Sequence, residues 1–298
     1  AVSSTSLSVD VDVNGNNSSV EYAIQETVSG NYVQGDGSLG GSAVWATDAG
    51  WGTKTVTGLS ANQPYTFQVK AKNGDGTETS FGSTASKYTL AIVPSAPTVN
   101  NPTASSLDVA MAANGNPTSV DFAIHESTGD LFVQADGTLG ASAIWQTAAT
   151  WGTITVIGLD GNTEYTFEVK ARNDDSPQVE TAYGTATSES TINTSVPVLT
   201  TPTVSSVTST SATLGATVTS DGNDTITSRG TVWGTSAAPT GNALAEGGTA
   251  VSAFTHNRTV LTPGTLIYYR GYAINGIGTG YSADGSFWTI PQAPVASA

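Results

Sequence analysis

Apolar residues fall on every second position in several short runs of this chain. Leu7, Val9, Val11 and Val13 form one run, and Tyr65, Phe67, Val69 and Ala71 form another, with Thr66, Gln68, Lys70 and Lys72 interleaved. A period of two sends alternate side chains to core and solvent, so each run predicts a strand with one wet face. The runs end at Asn14-Gly15-Asn16 and at Asn73-Gly74-Asp75-Gly76. Asn and Gly tolerate the positive φ of tight hairpins, so these are predicted turns. No segment carries a convincing amphipathic-helix period.

The pattern repeats. At an offset of 100 residues Trp45 falls on Trp145, Trp51-Gly52-Thr53 on Trp151-Gly152-Thr153, Leu59 on Leu159, and Tyr65 and Phe67 on Tyr165 and Phe167. Turn signals recur at Asn114-Gly115 and Asn173-Asp174-Asp175. This is a tandem array. A more distant third copy has an alternating run at Ala212, Leu214, Ala216 and Val218, a turn at Asp221-Gly222-Asn223-Asp224, and a strand from Arg229 to Trp233. It closes with Leu261 to Gly264, Ile267 to Asn275 and Gly276-Ile277-Gly278. Proline-bearing junctions at Pro94 to Pro97 and Val196-Pro197 divide the chain into residues 1–93, 94–194 and 195–290, with a tail at 291–298. The junctions are too short to be floppy linkers. The expected fold class is all-β: three tandem antiparallel β-sandwiches in an extended rod.

The tail from Ile290 through Pro291, Gln292, Ala293, Pro294 and Val295 re-runs Val93, Pro94, Ser95, Ala96, Pro97 and Thr98, and Ala1 falls on Asn101. The first repeat is therefore expected to lack its own first strand. The expectation is that Pro291, Ala293, Pro294, Val295 and Ala296 of one molecule complete the sheet edge beside Ala1 and Val2 of another, joining copies head to tail. Prolines are tolerated at a sheet edge, and an unpaired edge invites an added strand. Val295 is the tail's one sizeable apolar anchor and contributes about 2 kcal/mol, against about 8 for micromolar affinity. Contacts between the third module and the next molecule's first must then contribute too. Such a heterologous interface propagates as a filament unless it closes into a ring.

The residues Leu59, Tyr65, Phe67, Val69, Ala71 and Asn73, with their counterparts Leu159, Tyr165, Phe167, Val169, Ala171 and Asn173, resemble fibronectin type III and related immunoglobulin-like repeats of bacterial cell-surface proteins. The resemblance implies that Tyr65 and Tyr165 form corners, each hydroxyl bonding back to the turn backbone. The third copy keeps Leu261, Ala273 and Asn275 but has Ile267 at the corner position. Such repeats host many functions, so the resemblance speaks to fold rather than mechanism.

Composition narrows the function. Twenty-four acidic residues against nine basic ones give a net charge of -15, which disfavours nucleic acid and anionic membrane surfaces. No apolar stretch approaches the roughly 20 residues that span a bilayer. The absence of cysteine excludes disulfides and thiolate chemistry. Beginning at Ala1, the chain reads as a processed secreted protein or an excised fragment, extracellular or at the cell surface.

Asp10, Asp12, Asn14, Gly15 and Glu21 match a calcium-loop pattern of alternating oxygen ligands around a sharp glycine turn. The alternation, however, puts Asp10 and Asp12 on the wet face of a strand, and the sister repeat has Ala110 and Ala112 there. No cofactor is expected, calcium being the one ion the residues suggest. The acidic turns at Asp221 to Asp224 and Asp174-Asp175 suit turns with or without a cation. Trp45, Trp51, Trp145 and Trp151 read either as sugar-stacking platforms or as rings closing the end of a small sandwich. His125 and His256 stand alone, and His125 replaces Gln25, as at a tolerant surface position. No nucleophile elbow, metal-binding His pair or phosphate loop appears, so no enzymatic role is expected. Sequons at Asn16, Asn17, Asn193, Asn223 and Asn257 are no more than a Ser/Thr-rich chain produces by chance. The leading reading is a non-enzymatic extracellular structural protein, a filament subunit or a stalk or adhesin segment. Its partners are further copies of itself, surface glycans or other cell-surface proteins. The alternatives are carbohydrate-binding or spacer modules of a secreted polysaccharide-active enzyme, and a calcium-dependent adhesin.

Overall fold

The structure, a computed structural model, describes residues 2–296. It contains two compact units, residues 1–191 and 192–298. No helix among the described residues is long and apolar enough to cross a membrane.

The first unit holds both repeats, each built from two antiparallel sheets. In the first repeat β1 (Ser6–Val9) pairs with β6 (Lys54–Thr57). The facing sheet runs β4 (Leu39–Gly40), β3 (Tyr32–Val33), β2 (Glu21–Glu26), β7 (Pro64–Lys72) and β8 (Ala85–Tyr88), with β5 (Ala46–Thr47) also on β2. Inward side chains alternate as the sequence requires: Leu7, Ile24, Val33, Val56 and Phe67 form a core, with Val69 and Ala71 packed against it.

The second repeat copies this plan with one addition. Its smaller sheet runs β15 (Thr153–Ile157), β10 (Ser106–Ala112) and β9 (Ser95–Asn100). The larger runs β13 (Leu139–Gly140), β12 (Leu131–Val133), β11 (Asp121–Glu126), β16 (Glu164–Arg172) and β17 (Thr187–Ser190), with β14 (Gln146–Thr147) on β11. Phe167 and Val169 are fully buried.

Each repeat also contains a single-turn helix, α1 (Asp48–Trp51) and α2 (Ala148–Trp151), which hydrophobic periodicity cannot reveal because one turn has no period. Thr47 and Thr147 cap these turns, their hydroxyls accepting the N–H of Gly50 and Thr150. The turns aim Trp51 and Trp151 inward, where each indole N–H donates to a strand carbonyl, that of Tyr22 at 2.8 Å and that of Phe122 at 2.9 Å. The tyrosine corners are present: the hydroxyls of Tyr65 and Tyr165 accept the N–H of Ser60 and Asp160, each at 2.8 Å.

Tyr22 is buried and its hydroxyl has no partner among the described residues, whereas the sister position is Phe122. A buried hydroxyl without a hydrogen bond costs about 1 to 3 kcal/mol. Tyr22→Phe is therefore expected to stabilise the first repeat by about 1 kcal/mol in urea denaturation. A loss of stability would show that the hydroxyl is bonded in solution.

The second unit is the third sandwich. On one side β20 (Ala212–Ser220) pairs with β18 (Val198–Leu199) and β19 (Thr203–Ser205) along one edge and β23 (Ala253–Arg258) along the other. The other sheet holds β22 (Leu244–Ala245), β21 (Ser228–Gly234), β24 (Leu266–Ile274) and β25 (Thr279–Tyr281), with β26 (Gly285–Trp288) on β24. Ile267 occupies the corner position as a fully buried core residue, and Tyr269 packs edge-on against Phe287 with centroids 5.6 Å apart. Arg229 is buried between these strands and the loop after β22. Its Nε donates to Glu246 at 2.9 Å, and its Nη1 donates to the carbonyls of Ala250 and Ser252 and to the Ser252 hydroxyl.

Candidate assembly site

Among the described residues, the first repeat differs from its sister in having one strand fewer in its smaller sheet. The edge follows from strand pairing. In the second repeat β9 covers β10, with Val109 opposite Val99 and Ala110 opposite Thr98. The third sandwich has β18 and β19 in that place. In the first repeat the sheet is the pair β1 and β6, and among the described residues no strand lies along the other edge of β1.

That edge corrects the placement of Asp10 and Asp12. β1 stops at Val9, whereas β10 continues to Ala112 because β9 is there to pair with it. The alternation continues through Val11, which is buried, yet Asp10 and Asp12 lie beyond the ladder. Asp12 accepts the N–H of Asn14 at 2.9 Å in a turn, and Glu21 pairs with Lys72 at 2.8 Å. Among the described residues no cluster of three or more His, Asp or Glu side chains could hold a metal ion.

The joint between the repeats is closely bonded. The end of the first repeat presents the turn around Asn62 and the segment after Thr89. Asn62, at φ 50°, donates to Asp174 Oδ2 at 2.8 Å and to the Ser119 hydroxyl at 3.2 Å, while its carboxamide oxygen accepts the Asp174 N–H at 2.8 Å. Asn116 brackets Ile92, accepting its N–H and donating to its carbonyl, both at 2.7 Å. Asn114 donates to the Val93 carbonyl at 2.9 Å and Asn173 to that of Thr89 at 3.2 Å. Lys87 lies 2.5 Å from Asp175, a contact that holds the Asp175 carboxyl below the usual range. A cleft of about 760 Å³ opens beside this joint, lined by Leu59, Tyr65, Ile92 and Pro117 among others. Positive φ explains asparagine at position 62, and the repeated Asn14/Asn16 and Asn114/Asn116 pairs were the sequence signal for the rest. Read as turn formers alone, they hid a second role.

The remaining candidates divide by burial. Trp51 and Trp151 are buried in the sandwiches. Trp45 and Trp145 are half-buried on the outer face of the larger sheets and are overlaid by cations: Lys70 and Lys72 at 5.2 and 4.6 Å, and Lys170 and Arg172 at 5.5 and 4.6 Å. His125 is not a tolerant surface residue. It is 7% exposed, with its ring nitrogens 3.0 Å from Glu168 and 3.0 Å from Asp130, and it stacks on Tyr183. The sister site holds a Gln25–Gln68 hydrogen bond instead, so the two residues change together. His256 is part-buried against the Thr231 hydroxyl at 2.7 Å, and burial lowers its pKa.

In the tail, Pro291, Ala293, Pro294, Val295 and Ala296 are exposed and outside any strand, Val295 by 92%. Val2 is also exposed, and Ala1 lies outside the described residues. Hydrogen bonds shift the alignment of this tail. The Thr289 hydroxyl donates to the Thr262 carbonyl and accepts the Thr265 N–H, as the Thr89 hydroxyl donates to Ser60 and accepts from Gln63. Thr289 therefore corresponds to Thr89, Pro294 to Pro94 and Val295 to Ser95, three residues from the pure sequence match.

No protein-family model matches the chain, and no curated protein matches it. Among solved structures it is similar to the FN1–FN3 domains of chicken CNTN1, at 13% identity and a TM-score of 0.30 over 97% of this chain and 96% of that one. A two-domain fibronectin type III segment of chicken tenascin matches at 15% identity and a TM-score of 0.27, over 66% and 99%. The sixth fibronectin type III domain of human fibronectin type III domain containing protein 3 matches at 23% and 0.26, over 35% and 96%. The fold itself rests on the pairing order within each sandwich: three tandem antiparallel β-sandwiches.

Proposed function

We propose that this chain is a non-enzymatic, extracellular structural segment whose sandwiches join head to tail with further copies, the residues from Pro291 onward supplying the strand that β1 lacks. The observation that carries this reading is the two-stranded β1–β6 sheet, set against β9 on β10 and β18 with β19 on β20. A sheet edge with no strand beside it is a place where a further strand can pair. The joint between the repeats supports this route: residues 89–94, held by hydrogen bonds from Asn114 and Asn116, lead from β8 of the first sandwich into β9 of the second. With Val295 at the position of Ser95, the tail adds only a short strand with little apolar area, and it registers the copies more than it holds them.

A sugar-binding role for the tryptophans is disfavoured by burial of Trp51 and Trp151 and by the cations over Trp45 and Trp145. Deleting residues 291–298 is expected to weaken end-to-end assembly in sedimentation and electron microscopy while leaving the melting of all three sandwiches unchanged. Polymers of undiminished length from the deleted chain would overturn the reading.

A further inference from the structure

We propose that the end of the first sandwich bearing Asn14, Asn16, Ser19 and Asn73 is a docking face for the far end of the third sandwich in a second copy of this chain. This rests on the head-to-tail reading above and names the surfaces that hold it.

The same face of the second repeat is the one covered at the repeat joint, through Asn114, Asn116, Ser119 and Asn173. All four residues are kept in the first repeat, where Asn16 and Asn73 are exposed although Asn116 is half-buried and Asn173 fully buried, while Asn14 and Ser19 are exposed as Asn114 and Ser119 are. Asn73 uses its carboxamide oxygen on the N–H groups of Asp75 and Thr77, as Asn173 does on that of Val179. The Asn173 NH₂ donates to Thr89, while that of Asn73 has no partner among the described residues. Val20 is half-buried where Val120 is fully buried. The face is built like its sister and lacks only the cover.

The matching surface is found on the third sandwich. The bonds of Thr289 place Gly264, at φ 64°, where the first repeat has Asn62, at φ 50°. They place Ile290 and Pro291 where it has Leu90 and Ala91. Ala91 is buried and Leu90 half-buried at the joint, whereas Ile290 is 54% exposed and Pro291 is exposed.

One pair decides the partner. In the repeat joint Asn62 and Asp174 satisfy each other through two hydrogen bonds of 2.8 Å. At the corresponding positions the third sandwich has Gly264 and the first has Gly74. Had only one side lost its side chain, the other would bury a polar group with nothing to bond, at a cost in affinity. Both have lost it, so the two faces suit one another.

The test is a double-mutant cycle in the full chain, read by sedimentation equilibrium. Gly74→Asp and Gly264→Asn restore the missing pair across the new joint. Asparagine tolerates the positive φ at 264, a Cβ there meets Pro291 at 3.6 Å, and a Cβ at 74 meets nothing within 4 Å. Each single variant is expected to assemble no better than the parent. The double variant should assemble at concentrations roughly tenfold or more below those the singles predict by addition. Additive behaviour in chains that still polymerise would overturn this docking face while leaving strand donation standing. Monomers for all four proteins at every concentration would overturn both. Circular dichroism melting confirms that each variant is folded.

Discussion

Trp151→Ala, and independently Trp51→Ala, is expected to lower the stability of its repeat by about 3 to 5 kcal/mol, a large share of the 5 to 15 typical of a folded domain. Each ring is at most 4% exposed, and each donates its indole N–H to the carbonyl of a neighbouring strand. Truncation removes the apolar area, opens a cavity and leaves that carbonyl without its donor. Trp45→Ala is expected to cost far less, because that ring is half-buried under Lys70 and Lys72. Guanidinium denaturation followed by circular dichroism measures both. A change below about 1 kcal/mol at Trp51 and Trp151 would place these rings in solvent and revive the sugar-platform reading.

Arg229→Met is expected to destabilise the third sandwich by about 3 kcal/mol or more, since removing one member of a buried ion pair leaves its partner uncompensated. Here the guanidinium also ties the Ala250 and Ser252 carbonyls to β21, so its loss frees that loop. The hydrogen bond from Arg229 holds the Glu246 carboxyl below its ordinary value. A depressed carboxylate pKa contributes stability fully present above the unfolded-state pKa and lost as pH falls through the folded-state value. Acid should therefore weaken the parent third sandwich below about pH 4.5, the unshifted value for Glu246, and this part of the acid response should be missing in the variant. Identical acid-melting curves for the two proteins would overturn the assignment.

Much of the architecture was legible because the sandwiches obey a period of two. Leu7, Phe67, Phe167 and Leu214 all reach the core from alternating runs. The corner tyrosines followed from the resemblance and took up the bonds it implies. What periodicity missed had non-local causes. Alternation through Val13 suggested a strand carrying Asp10 and Asp12, but a ladder needs a partner, and β1 ends where its partner β6 begins. His125 looked dispensable beside Gln25 because the compensating change, Gln68 to Glu168, lies 43 residues further along. Asn114 and Asn173 were read as turn formers, since their second bonds appear only with the first sandwich against them.

The route of the chain from the first sandwich into the second has a mechanical consequence. Between Thr89 and Ser95 the backbone is pinned by Asn116 and Asn114, and from Ser95 it is already a sheet strand. A pull applied across the two repeats finds no slack to draw out. Extension must break these bonds and then strip a strand, β8 from β7 or β9 from β10, so this connection behaves as a stiff, brittle coupling that yields by unfolding a domain rather than as a spring.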